Sequence, residues 1–245
     1  MLSGVELIIA ALIVFAGATV MGTLGFGFGL VVAPVFLLLL EPQETVVTVN
    51  GIITVLLILI MAQSYRHLRL LRLWPMAAGG LAAAPIGVLA LSGADPTTLR
   101  ITIILVIMAL AVLNLTSIQL PMVQNRWVGG VVGFLTSLAI TTLSIGGPLA
   151  ALYVVARRWP HQEIRASLAF FFIVSYLAAF GLYARSGLVH QETMANIGMM
   201  VPSVVAGFGL ATLLVRRINQ RIFRYAVTGV IIGGSAALLG QEFVG

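Results

Sequence analysis

Long apolar runs separated by short charged loops leave this chain few ways to fold. From residue 7 to residue 40 no charged side chain occurs. Runs of about 20 apolar residues recur to the C-terminal end, each long enough to cross a hydrocarbon core of ~30 Å as a helix. With 60% hydrophobic and 8% charged residues among 245, a soluble globule would lack the polar surface to cover its core. The chain is read as an all-α integral membrane protein. Its N-terminus, MLSGVELIIAALIVFAGATVMG, has no basic region of the kind a secretory signal needs, the first arginine being Arg66, and is read as a mature helix. The absence of cysteine excludes disulfides and thiolate or zinc-thiolate sites. His67, His161 and His190 have no metal-ligand spacing, so no metal and no cofactor are expected.

The formal charge of +6 comes from 13 arginines, with no lysine, against seven acids. Their positions carry the information. Arg66, Arg69 and Arg72 share one loop, Arg126 lies in a second, Arg157, Arg158 and Arg165 in a third, and Arg216, Arg217, Arg221 and Arg224 in a fourth; Arg100 and Arg185 fall elsewhere. Such clusters mark cytoplasmic loops under the positive-inside rule rather than a nucleic-acid surface.

Single spans are expected at 45–64, 74–93, 99–117, 166–184, 193–215 and 225–243, whereas 5–40 and 127–156 are each too long for one. A single crossing by 127–156 would put the arginine loops of the two halves on opposite sides. A hairpin that enters and returns leaves 11 of the 13 arginines on one side, all but Arg100 and Arg185. Residues 1–120 then comprise a hairpin (5–40) and three helices, and 121–245 repeat that order from the other side. The expected fold is an inverted repeat with 8 to 10 membrane segments, depending on how the hairpins are counted, and with both termini periplasmic. Laying GFGFGLVVAPVFLLLLEP (25–42) over LSIGGPLAALYVVARRWP (143–160) pairs Gly29 with Gly147, Ala33 with Ala151 and Pro42 with Pro160.

Glycines crowd the middle of both long segments, in GFGFG and SIGGP. A chain that reverses within the bilayer exposes backbone N–H and C=O groups, which hydrocarbon tolerates only where protein buries them or water lines them. Glycine permits the reversal and a close approach of helix or ligand. Turns are therefore expected near Gly27 and Ser144, meeting near the midplane with half-helix N-termini that favour an anion. The spacing Gly25-x-x-x-Gly29 equally suits a small-residue contact between helices. Candidate substrate contacts are the hydroxyls of Thr23, Thr141, Thr142 and Ser144 and the backbone of Gly25, Gly27, Gly29, Gly146 and Gly147. Hydroxyls in membrane helices also commonly bond their own i−4 carbonyl. Asn50, inside a span, is either helix–helix glue or a substrate donor, and Phe26 and Phe28 either pack or touch the ligand. No Asp, Glu, His or Arg falls in mid-span, so a buried carboxylate relay is not evident.

The glycine-rich run followed by an apolar stretch and a proline, once in each half, resembles the TauE/SafE family, the bacterial sulfite and organosulfonate exporters, over residues 5–243. The resemblance implies a multi-pass transporter of the bacterial inner membrane, not an enzyme, exporting sulfite or small organosulfonates such as C2 sulfonates. Its partners would be that small anion and the lipid bilayer, with no nucleic acid and with a homodimer left open. A carrier or channel for another small anion, or a non-transporting protein whose glycine turns only pack, are the alternatives. Against the family's G-x-G-G-G-like pattern, Phe28 stands between Gly27 and Gly29, and Ser144–Ile145 precede only two glycines. A phenyl group at the turn would narrow the site or line it for an organic tail. Intramembrane protease chemistry finds no support, since Ser144 has no mid-membrane histidine to activate it.

Overall fold

The computed structural model describes residues 2–68, 70–115, 126–157 and 161–214, and within them it is all helix and connections, without a strand. The helices are α1 (Gly4–Leu24), α2 (Phe28–Leu39), α3 (Pro42–Ser64), α4 (Leu70–Gly93), α5 (Pro96–Leu115), α6 (Arg126–Leu143), α7 (Gly147–Ala156), α8 (His161–Arg185) and α9 (Gln191–Leu214), with a short 3-10 turn at Tyr65–His67. The chain belongs in a membrane by length and apolarity: α1, α3, α4, α8 and α9 are each long enough to cross one. The span expected at 225–243, and Gly245, lie outside the described residues.

Both double-length segments are broken helices. In the first, Gly17 of α1 lies against Val32 and Phe28 of α2, so α2 runs back along α1. In the second, Gly129 of α6 lies against Tyr153 of α7. The arms are unequal, 21 and 12 residues in the first hairpin and 18 and 10 in the second. At 1.5 Å per residue α1 measures about 31 Å and α2 only about 18 Å. Proline sets the short arm's length in the first hairpin. Pro42 forces Glu41 into an extended conformation, with ψ 148°, and itself opens α3 at a position where its missing N–H costs nothing.

Two helix pairs hold the bundle through glycine. A methyl group at Gly79 of α4 would overlap the Gly130 carbonyl of α6, and one at Gly133 would overlap the Met76 carbonyl. Between α1 and α9, Gly22 meets Ala211 and Gly207 meets the Phe15 carbonyl, while the Thr19 hydroxyl donates to the Gly207 carbonyl at 3.2 Å. In hydrocarbon, where apolar side chains gain nothing by hiding from lipid, such close backbone approach supplies much of the association. Large apolar side chains accordingly face outward, Val5, Leu12, Leu89 and Leu213 among them.

The loops sort to two ends. At one, the Leu2 N–H donates to Asn196 Oδ1 (3.0 Å), Asn196 Nδ2 to Glu44 Oε1 (3.4 Å), and Gln43 Nε2 to the Leu91 carbonyl (2.9 Å). At the other, Arg72 pairs with Glu163 at 3.2 Å, which brings the first turns of α4 and α8 together.

Gly79→Ala should therefore lower stability by about 1–3 kcal/mol, because the new methyl meets backbone rather than a side chain that can turn away. Gly181→Ala, where nothing described lies within 4 Å of the added carbon, should leave stability unchanged or raise it. Thermal melting of the purified protein in detergent checks both, and equal melting of the two variants would contradict the contact.

Candidate functional site

Each hairpin reverses over three residues. The first ends α1 with Gly25 in the left-handed region (φ 87°), its N–H on the Met21 carbonyl at 2.7 Å, then passes Phe26 and Gly27 (φ 101°) into α2. The second ends α6 with Ser144, also left-handed (φ 60°), then passes Ile145 and Gly146 into α7. Ser144 N–H to the Ile140 carbonyl (2.9 Å) is the bond of an αL cap, and Ile145 N–H reaches back to the Ala139 carbonyl (3.2 Å). Serine occupies the position that motif usually gives to glycine, at a conformational cost of about 1–2 kcal/mol.

Asn50 of α3 offsets that cost. Its Oδ1 accepts the Ser144 hydroxyl at 2.6 Å, while Nδ2 donates to the Ile140 carbonyl at 3.2 Å and to the Tyr183 hydroxyl of α8 at 2.8 Å. The Tyr183 hydroxyl in turn donates to the Thr141 carbonyl. All of these side chains are fully buried. The last carbonyls of α6, which have no partner within the helix, are thereby satisfied from two neighbouring helices. Asn50 thus acts as helix–helix glue with its amide fully engaged.

The two turns interlock through paired glycines. A methyl group at Gly29 would overlap the Ser144 carbonyl, and one at Gly147 would come within 2.9 Å of Phe26 Cβ and 3.3 Å of the Gly27 nitrogen. Gly29 and Gly147 are the pair that the internal alignment brings together, and each leans on residues of the other hairpin's turn.

Between the turns lies a small cavity. Phe26, Gly27, Phe28 and Gly29 line it from the first hairpin, Ser144, Ile145, Gly146, Gly147 and Pro148 from the second, with Met21, Leu30, Ile53, Phe172 and Tyr176 completing the wall. About 10 Å³ is free for the centre of a water molecule, room for roughly one water. None of the lining side chains is charged. The residues that open α2 (Phe28, Gly29 and Leu30) and α7 (Gly147 and Pro148) border the cavity, so the positive end of each helix dipole lies at its edge; α2 offers three N–H groups there and α7 only that of Gly147, since Pro148 has none.

Of the residues singled out from sequence, Phe26, Gly27, Phe28, Gly29, Ser144, Gly146 and Gly147 come together here, whereas Thr23, Gly25, Asn50, Thr141 and Thr142 do not line the cavity. The three threonine hydroxyls donate to their own i−4 carbonyls, Thr23 to Thr19 (2.6 Å), Thr141 to Ser137 (2.7 Å) and Thr142 to Leu138 (2.8 Å). Sequence reasoning passed over Phe172 and Tyr176. A phenol in the middle of the apolar run AFFFIVSYLAAF was the available signal.

Half-helix N-termini at a cavity favour negative charge, and the cavity lining holds no nucleophile–base pair with which to break a bond. No curated protein and no solved structure matches the chain. The family model described as sulfite exporter TauE/SafE matches residues 9–238, and with that coverage the chain belongs to the TauE/SafE family of membrane transporters for sulfur oxyanions.

Proposed function

We propose that this protein exports sulfite or a small organosulfonate across a bacterial inner membrane, binding it where the two glycine turns converge. The single observation that carries the reading is the cavity bounded by the N-termini of α2 and α7, with no fixed cation in its wall. Donors of this kind hold an anion by dipoles and neutral hydrogen bonds, which permits release. An arginine would grip a tetrahedral or pyramidal oxyanion bidentately, better suited to capture. Because the cavity has room for about one water, the turns must part before any such anion enters.

The two halves act as an inverted repeat in this reading. Support comes from the packing partners: α1 against α9 and α4 against α6 exchange under α1↔α6 and α4↔α9, and α3 against α8 maps onto itself. The reciprocal contacts of Gly29 and Gly147 obey the same exchange. The end that carries Arg72 and Glu163 faces the cytoplasm by its arginine content, and Leu2, Glu44 and Asn196 mark the periplasmic end. The N-terminus is then periplasmic, and a span at 225–243, expected from the sequence alone, would return the C-terminus to the same side.

In liposomes, the purified protein should carry labelled sulfite and ethanesulfonate at rates that depend on its presence. Gly147→Val should cut that flux about tenfold or more, since overpacking at the interlock costs about 1–3 kcal/mol, while expression stays normal. Wild-type flux in the variant would remove the site from these turns. Sidedness is checked separately by single-cysteine labelling, which the cysteine-free chain makes clean. A cysteine at position 161 should resist an impermeant reagent applied to intact cells, and one at position 95 should react; the reverse result would invert the assigned topology.

A further inference from the structure

The Tyr176 ring packs in the core, but its hydroxyl has no place in the hydrogen bonds that hold the fold. It is 4% exposed, lines the cavity, and packs edge-on against Phe172 with ring centroids 6.4 Å apart. Its hydroxyl has no hydrogen-bond partner among the described residues, in contrast to Tyr183 about two helical turns further along α8, whose hydroxyl both accepts from Asn50 and donates to the Thr141 carbonyl. A buried phenol without a partner is costly, and one that lines a cavity bordered by two helix N-termini is positioned to bond whatever enters. The remaining side-chain hydroxyl in the wall, that of Ser144, already donates to Asn50.

We infer that Tyr176 is the side-chain donor to the transported anion and that the site accepts a singly charged oxyanion in preference to a doubly charged one. This rests on the transport reading above and names the charge class that the same site takes. The physical reason is a difference in scaling. The cost of moving an ion out of water grows with the square of its charge, whereas its attraction to fixed dipoles and neutral donors grows only in proportion to the charge. A second negative charge therefore roughly quadruples the cost and doubles the gain, and a lining without Arg, Lys or His supplies nothing to close the gap.

The charged and titratable groups around the cavity do not alter that balance. Of the helices that form it, α1, α2, α3, α6, α7 and α8, the charged residues are Glu6, Glu44, Arg126, Glu163, Arg165 and Arg185, each by its place in the chain within a turn or two of a helix end or at the end itself, and His161 opens α8. Tyr176 in the wall and Tyr183 behind it are phenols, neutral at physiological pH. The aromatic half of the wall, Phe26, Phe28 and Phe172, suits either the protonated oxygen face of bisulfite or the short alkyl group of a sulfonate. Sulfite thus enters as bisulfite. Because bisulfite loses its proton near neutral pH and an alkylsulfonate has none to lose, the two substrates should respond differently to pH.

The test uses full-length protein in liposomes with membrane potential clamped at zero and equal pH on both sides, so that charge does not alter the driving force. The substrates are sulfite, ethanesulfonate, 1-butanesulfonate and 1,2-ethanedisulfonate, the last two bracketing size against charge. Ethanesulfonate and 1-butanesulfonate flux should be flat between pH 6 and 8, sulfite flux should fall with the bisulfite fraction, and the disulfonate should be carried about tenfold or more slowly than either monosulfonate. Tyr176→Phe should raise the half-saturating concentration of ethanesulfonate about 3- to 10-fold, as expected for one neutral hydrogen bond, with the melting temperature unchanged because the hydroxyl bonds nothing in the protein. Disulfonate flux equal to that of butanesulfonate, or sulfite flux that follows total sulfite at every pH, overturns charge selection and leaves the transport reading standing. An unchanged half-saturating concentration in Tyr176→Phe overturns the role of the phenol. Absence of protein-dependent flux for all four substrates overturns the transport reading and this inference with it.

Discussion

Backbone that is not helical must find partners inside the membrane, and the centre of this bundle is organised around that requirement. Where α1 and α6 break, carbonyls and N–H groups are released into surroundings without water, at a cost of several kcal/mol for each one left bare. The first turn answers with glycine, whose left-handed conformers at Gly25 and Gly27 let the chain reverse within three residues. The second turn answers with side chains. Asn50 and Tyr183 reach the Ile140 and Thr141 carbonyls from α3 and α8, and Asn50 also restrains Ser144 in a conformation that serine disfavours. A polar cluster of this kind is stable only when complete. Loss of Asn50 would strand the Ser144 hydroxyl as a donor, take a donor from both the Ile140 carbonyl and the Tyr183 hydroxyl, and release the turn from α3.

Packing and binding are not rival explanations of the glycines. Gly25 and Gly29 have the spacing of a small-residue stripe, yet the helix breaks between them and they share no helix face. Gly25 serves conformation, while Gly29 serves close approach to the Ser144 carbonyl. That approach is what narrows the gap between the turns to a cavity and brings the N-termini of α2 and α7 to its edge. The true stripes lie elsewhere, in the α4–α6 and α1–α9 pairs, where carbonyls sit against Gly79, Gly133 and Gly207.

The broken helices were legible because two signals agree, an apolar length unsuited to one span and a glycine cluster near its middle. Both turns fall where this predicts, at 25–27 and 144–146. The unequal arms were harder to see, since α2's length follows from the proline that opens the next helix. Within the site, residues on the turns themselves were readable, as local chemistry marks them. The rest depended on pairings across the chain: Asn50 meets Ser144 94 residues away and Tyr183 133 residues away, and no local pattern distinguishes an amide that clasps a turn from one that holds a ligand. The threonines illustrate the same limit. Their hydroxyls near the turns suggested donors, but rotation about one bond brings each to the i−4 carbonyl of its own helix.

The distribution of hydrogen bonds also decides where the molecule can open. Asn50 ties the second turn to α3 and α8, and the Thr45 hydroxyl ties α3 to the Phe36 carbonyl of α2 at 3.2 Å. Among the described residues no hydrogen bond joins the two turns to each other. Their contact is glycine on carbonyl and glycine on phenylalanine, so parting them forfeits dispersion contacts but leaves no polar group newly unpaired. Such an interface separates at low cost and recloses without searching for hydrogen-bond partners. An exported anion adds its own bias: with the cell interior negative, each elementary charge moved outward gains about 2.3 kcal/mol per 100 mV, roughly a 40-fold gradient. On the proposed function, the membrane potential alone can then drive efflux through a site that binds weakly. That removes the need for a buried acid or base, in keeping with a cavity whose lining is neutral throughout.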